Sequence, residues 1–152
     1  MSAGDMFEAV RQYLPEQDII VKCAAVADYT PPYAAEEKIK KADESLTLEL
    51  VRTTDILAYI GENKKEHQFV CGFSMETEHM LEHSRAKLQK KKIDMIAANN
   101  LKVEGAGFGH DTNVITIITK EKTTQLPLQS KKAAADSLLD MILAELSRKG
   151  VS

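Results

Sequence analysis

A chain of 152 residues, 43% hydrophobic and 28% charged, has the makeup of one soluble globular domain. Its formal net charge of −3 gives no global basic field for nucleic acid or a membrane surface, so any anion must be bound locally. No apolar run approaches the ~20 residues that span a bilayer and no leader pattern is evident, so the expectation is a cytoplasmic protein with no nucleic-acid or membrane partner.

In chain order, residues 5–14 place Met6, Val10, Tyr13 and Leu14 at helical spacing, with Ser2 or Asp5 to cap and Pro15 to stop. Residues 18–25, "DIIVKCAA", predict a short buried strand, and a long loop punctuated by Pro31 and Pro32 follows. "LTLELV" at 46–51 alternates as a strand does, and Thr54 or Asp55 caps a helix in "DILAYIGEN". "HQFVCGF" is a further buried strand ending at Gly72 and Phe73, and a helix with Thr77 as candidate cap runs to about residue 92. "IDMIAAN" at 93–99 is another strand, and a Gly-rich loop spans 105–109. "NVITIIT" and "TTQLPLQ" form a hairpin around "KEK", with Pro127 marking an edge. Ser130 starts a long amphipathic helix presenting Ala134, Leu138, Leu139, Ile142 and Leu146 on one face. Cys23 and Cys71 each sit in an apolar run and are expected as buried, reduced thiols.

Buried strands alternating with amphipathic helices predict the α/β class: a three-layer, mostly parallel Rossmann-like sheet, helices on both faces and a C-terminal β-hairpin, in one domain over residues 1–152. Such sheets bind ligands beyond the carboxyl ends of their strands. Ala24, Ala25 and Ala27 lie at or past such an end, where small side chains admit a ligand to the backbone, and Asp28 and Lys38 stand around the same mouth. From these residues alone the segment reads first as turn chemistry, with Asp and Pro ending a strand.

Three other motifs are weaker. His79, Glu82 and His83 fit H-x-x-E-H, but the histidines lie among solvated charges with no assignable third ligand, so a polar helix face is expected and no metal site. The glycines at 105, 107 and 109 precede a strand-like run, whereas a dinucleotide fingerprint needs a helix there. Two basic clusters remain: Lys38, Lys40 and Lys41, and Arg85, Lys87, Lys90, Lys91 and Lys92. Lys87 and Lys91 share a helical face that suits phosphate oxygens or simply solvent. Phe73 is placed either to stack on a base or to pack in the core.

Taken together, "AAVADYTP" followed by "EKIKK", then "TTDIL", "CGFSMET", "RAKLQKKKIDMIAAN" and "GFGHDTNVITII" resemble the phosphopantothenate–cysteine ligase family of bacterial coenzyme A synthesis. The resemblance runs from about residue 5 to the last helix. Its most specific elements are A-A-V-A-D-Y and K-I-K-K at their mutual distance. It implies activation of the 4′-phosphopantothenate carboxylate by CTP with Mg²⁺, giving an acyl-cytidylate and pyrophosphate. Attack by the amine of cysteine then forms the amide and releases CMP. By motif, it implies a nucleotide site of Ala24, Ala25, Asp28, Lys38, Thr53, Thr54, Asp55, Ile56, Phe73, Lys87 and Lys91, with Lys38 also catalytic in consuming the intermediate. It further implies a homodimer and, in many members, an upstream flavin-dependent decarboxylase; no flavin is expected in this part.

Departures from the family pattern are Thr53 and Thr54 in place of Asn-Pro, and Ser74 and Met75 where small alanines are usual. A Gly-rich strand–loop segment that opens the family's domain is not found, so the expectation is an N-terminally incomplete ligase domain, inactive or only partly active by itself. The alternative is a non-catalytic nucleotide-binding or dimerisation module. A dehydrogenase reading lacks its strand–GxGxxG–helix unit.

Overall fold

The computed structural model describes residues 2–33, 37, 47–76, 80–100 and 109–150. Helix α1 (Ala3–Tyr13) opens on a reciprocal cap: Ser2 Oγ accepts from the Asp5 N–H, and Asp5 Oδ2 accepts from the Ser2 N–H. This capping box satisfies donors that the first turn otherwise orphans. Pro15 then converts the helix end into a short 3₁₀ turn, Leu14–Glu16. The remaining elements are β1 (Ile19–Lys22), β2 (Tyr29–Thr30), β3 (Val51–Arg52), α2 (Ile56–Asn63), β4 (Phe69–Glu76), α3 (Met80–Lys90), β5 (Met95–Asn100), β6 (Thr112–Asn113), β7 (Ile115–Thr119), β8 (Thr123–Gln125), β9 (Gln129–Ser130) and α4 (Lys131–Arg148).

Five strands form the main sheet in the order β1-β4-β5-β7-β8. β1, β4 and β5 run parallel, each joined to the next through a helix, and the β7–β8 hairpin adds antiparallel to β5. Because side chains alternate across a strand, the sheet has two apolar faces. Val70, Ile96, Ala98 and Ile118 pack with Leu14, Ile56, Leu57, Ile60 and Leu88 under α1, α2 and α3. Phe69, Cys71, Met95, Ala97, Ile115 and Ile117 pack with Ala134, Leu138 and Ile142 of α4. The predicted three-layer α/β architecture with its terminal hairpin is therefore the observed one. β8 ends before Pro127, at the sheet edge where a missing N–H costs nothing.

Several local expectations are corrected. β1 is shorter than residues 18–25 and only half-buried, because among the described residues it pairs on one side only, with β4. For the same reason Cys23, in the loop just past this edge strand, is exposed; only Cys71 is buried, and burial pushes its thiol up to about 12. Among the described residues of "LTLELV" only Val51 is paired, through the two-residue ladder of β2 and β3, and Leu48 and Leu50 are exposed. β4 continues through Phe73 to Glu76, and α3 ends at Lys90. On α4, Leu139 is about half exposed, since Ala134, Leu138 and Ile142 already fill the stripe facing the sheet. Leu46, Thr77 and His79 lie outside the described residues.

At the amino end of the sheet, polar groups tie the layers. Buried Gln68 donates to the carbonyls of Leu14 (2.6 Å) and Gln17, and accepts from the Lys65 N–H. Asp94 accepts from Lys64 Nζ at 2.6 Å and Lys149 Nζ at 2.5 Å, and from the Val70 N–H.

Candidate functional site

β1 stops at Lys22, in register with Gly72, while β4 and β5 run on to Glu76 and Asn100. The carboxyl end of the sheet is therefore stepped, and Ala24 and Ala25 cross the step. Phe73 is the first β4 residue beyond the end of β1, which is why a side chain inside a strand reaches the mouth.

The loop after β1 is pinned from the far side of the chain. Thr53 donates its N–H to the Asp28 carbonyl (2.9 Å) and its hydroxyl to the Ala27 carbonyl (2.6 Å). These bonds continue the β2–β3 ladder and hold the Ala24–Asp28 backbone against the turn that leads into α2. Asp55 caps α2, its Oδ1 accepting from the Ala58 N–H at 3.0 Å.

Lys91 arrives by a different route. Lys92 adopts φ 52, the left-handed region, and the Ile93 and Lys92 N–H groups return to the carbonyls of Leu88 and Gln89. This Schellman-type closure makes Lys91 the last residue of the α3 spiral and turns Ile93 into the core. α2 comes close enough that a Cβ on Gly61 would lie 1.8 Å from the Lys91 carbonyl oxygen. Lys91 Nζ then meets Asp55 at 3.0 Å.

Around this pair is a cavity of about 180 Å³ lined by Ala24, Ala25, Asp28, Thr53, Thr54, Asp55, Ile56, Phe73 and Lys91, together with Lys22, Val26 and Leu57. Its electrostatics are mixed. Burial pushes the Asp55 carboxyl up, but the Ala58 N–H and Lys91 outweigh it and hold Asp55 below its ordinary range. Burial lowers the Lys22 ammonium; Cys23 opposes this, Lys91 adds to it, and Asp55 opposes it. Lys22 Nζ donates to the Ala24 carbonyl at 2.7 Å, bracing the loop. Cations set against carboxylates beside an apolar wall suit a ligand that is polar, partly anionic and aromatic in one part.

Nine of the eleven predicted positions thus share one cavity. Lys87 is not among its lining residues: it lies one turn earlier on α3, and Lys91 is the cation that the α3 terminus delivers to Asp55. Lys38, Lys40 and Lys41 lie outside the described residues. Within the second basic cluster, Arg85 faces elsewhere, donating to Thr123 Oγ1 at 3.1 Å. Glu82 and His83 are exposed on α3. Gly105, Gly107 and Phe108 lie outside the described residues, and Gly109 has φ +77. Sequence reading missed Lys22, Val26 and Leu57. Lys22 had a signal, a lone lysine interrupting the apolar run "IIVKCAA". Val26 and Leu57 had none, being indistinguishable from core residues until the mouth is assembled.

A second cavity, of about 320 Å³, shares the Ala24, Ala25 and Phe73 wall but opens on the α4 side of the sheet, where Cys23, Ser74, Met75, Asn99, Asn113 and Lys131 line it.

Comparison with known proteins accords with this arrangement. The profile of the DNA/pantothenate metabolism flavoprotein C-terminal domain matches residues 1–146. The chain is 45% identical over 150 residues to the coenzyme A biosynthesis bifunctional protein CoaBC of Bacillus subtilis (strain 168), covering 98% of this chain and 37% of that protein. It is 40% identical over 143 residues to CoaBC of Vibrio vulnificus (strain YJ016), covering 93% of this chain and 36% of that protein. The chain therefore spans a little over a third of the length of these curated relatives. The crystal structure of the C-terminal domain of a CoaBC protein superposes with a TM-score of 0.77 at 40% identity, over 97% of this chain and 66% of that one. The extended match, the shared α/β fold and the assembled mouth lead to one conclusion: the chain belongs to the family of the DNA/pantothenate metabolism flavoprotein C-terminal domain.

Proposed function

We propose that this chain is the ligase part of a bifunctional coenzyme A biosynthesis protein, joining 4′-phosphopantothenate to cysteine at the expense of CTP. The single observation that carries the reading is the cavity at the sheet step, which gathers residues distant in sequence and matched to the family motif into one polar, partly cationic mouth. In this reading the cytidine lies against Phe73 and the turn of Thr53, Thr54 and Asp55, and the phosphates extend toward Asp28. A carboxylate oxygen of phosphopantothenate attacks the α-phosphorus of CTP and pyrophosphate leaves. The amine of cysteine then attacks the acyl carbon, the acyl–oxygen bond breaks, CMP leaves with that electron pair, and the amine gives up a proton. Such chemistry rests on position and charge more than on covalent help from side chains. Lys22, Lys38 and Lys91 supply positive charge, Lys38 being the residue assigned to the breakdown of the acyl-cytidylate. Ala24 and Ala25 leave the backbone approachable.

Magnesium fits the donor set as a companion of the nucleotide. Mg²⁺ prefers one or two carboxylates plus phosphate oxygens and water. Asp28 is the carboxylate at the rim suited to hold it, since Asp55 is engaged by Lys91 and the α2 cap. The ion would neutralise triphosphate charge. A homodimer completes the reading, as does a second, decarboxylase unit in the same protein, which the bifunctional relatives support.

The test is CMP release from CTP, Mg²⁺, phosphopantothenate and cysteine by the full-length protein. Wild type is expected to release CMP. Lys38→Gln is expected to lower the rate by about a hundredfold, the scale of a lost oxyanion donor, with acyl-cytidylate accumulating. Nucleotide binding without CMP from any combination of substrates would leave a non-catalytic binding module instead.

A further inference from the structure

Carbonyls of the loop that crosses the step are held at Ala24, Ala27 and Asp28, and the last two are held by the same residue. Lys22 Nζ donates to the Ala24 carbonyl at 2.7 Å. Thr53 donates its hydroxyl to the Ala27 carbonyl at 2.6 Å and its N–H to the Asp28 carbonyl at 2.9 Å. A threonine hydroxyl has a single proton to give, so both polar hydrogens of Thr53 are directed at the loop and neither is left for a ligand. The hydroxyl bond joins residues 26 apart in sequence, so no local turn preference supplies it. The adjoining β2–β3 ladder is short, pairing Tyr29 with Arg52 and Thr30 with Val51, and so small a strand pair is not stable alone in water. Asp28 is exposed, and among the described residues its carboxylate enters no hydrogen bond. Where that carboxylate stands is therefore set through its backbone, and Thr53 fixes that backbone.

We infer that Thr53 is a positioning residue: its hydroxyl holds the Ala27–Asp28 backbone so that the Asp28 carboxylate is presented to the phosphate end of the nucleotide, and that hydroxyl does not itself bind the nucleotide. The inference rests on the ligase reading above and deepens it, because the tightness of CTP binding then depends on a group that never meets CTP. Thr53 stands just before the turn in which Asp55 caps α2 and pairs with Lys91, so one residue ties the loop after β1 to the opposite side of the mouth. Its bonds are complete without a ligand, which separates it from Lys91 and Lys22, whose charges act on an anion directly.

The test is a double-mutant cycle in the full-length protein, with CTP binding in Mg²⁺ measured by calorimetry and the kcat and KM split taken from CMP release. Thr53→Val keeps the side-chain shape and the backbone N–H and removes only the hydroxyl. It is expected to weaken CTP binding roughly fivefold, the scale of one ordinary hydrogen bond, with the loss in KM for CTP rather than in kcat. Thr53→Ser, which restores the hydroxyl, is expected to recover most of that loss. The deciding measurement is Thr53→Val in an Asp28→Asn background, where the further loss should be under about twofold because no charge is left to aim. Losses that simply add mean that Thr53 touches the nucleotide itself and overturn the assignment. Unchanged CTP binding in Thr53→Val overturns it too, and in both cases CMP release by wild type leaves the ligase reading standing. Calorimetry needs no turnover, so coupled losses without CMP from wild type overturn the ligase reading alone. No CTP binding by wild type overturns both.

Discussion

Asp94 has two roles that pull on its charge. Burial alone would raise its carboxyl, yet hydrogen bonds from Lys149 and Lys64 and from the Val70 N–H hold it below the ordinary range. The side chain is 9% exposed, so its removal leaves two lysines without their counter-charge in a partly dry site. Asp94→Asn is expected to cost about 2 kcal/mol at pH 7, below the 3–5 of a fully buried pair because Lys149 is half-solvated. A folded-state pKa below the unfolded value of ~3.9 gives stability that is complete above that value and is lost as pH falls through the folded one. The gap between wild type and Asp94→Asn in urea unfolding should therefore be full at neutral pH and close below about pH 4. A gap unchanged at low pH would show that packing, not charge, is lost. The residue types of this triad were in plain view in the sequence, but Lys64, Asp94 and Lys149 come from three elements, and no local pattern joins them.

The α2–α3 terminus pairing sets the mouth. Glycine inside a helix ordinarily weakens it, and alanine there gains about 1 kcal/mol of propensity. At Gly61 the opposite sign is expected: a methyl 1.8 Å from a backbone carbonyl cannot be relieved by a side-chain rotation, and the helix or the Lys91 turn must move. Gly61→Ala should destabilise by roughly 2 kcal/mol in thermal or urea unfolding. Because the displaced carbonyl is that of Lys91, the proposed function predicts that CTP affinity also falls; loss of stability with unchanged CTP affinity would separate Gly61 from the site. At this scale the caps were legible: Ser2, Asp55, Pro15 and Ser130 start or stop helices as their side chains dictate. The end of α3 was not, because its left-handed residue is a lysine at position 92 rather than a glycine. The strand at 46–51 was overread because alternation in a short polar–apolar run fixes a strand only when a partner is there to pair with it.

Across the whole molecule the sheet is unevenly finished. The β8 edge is short and closed by Pro127, but among the described residues β1 pairs only with β4, and Val21, Leu139 and Leu143 are exposed. Open edges beside apolar surface recruit further strands or chains. The 152-residue chain is expected to self-associate with rising concentration in sedimentation velocity, and Val21→Lys, which sets a charge on the edge, should reduce it. Association that is indifferent to this change would place the contact elsewhere. Among the described residues no helix is long and apolar enough to cross a membrane. Sequence by itself determined the layered α/β class, the main helices and central strands, and the kinship that pointed to the mouth, because periodicity, caps and ordered motifs act over a few residues at a time. Only the tertiary structure decided that Lys91 rather than Lys87 meets Asp55, that Phe73 overlooks a step between unequal strands, and that Cys23 is exposed. Those facts depend on where one element ends relative to another, and such offsets are set by packing between segments far apart in the chain.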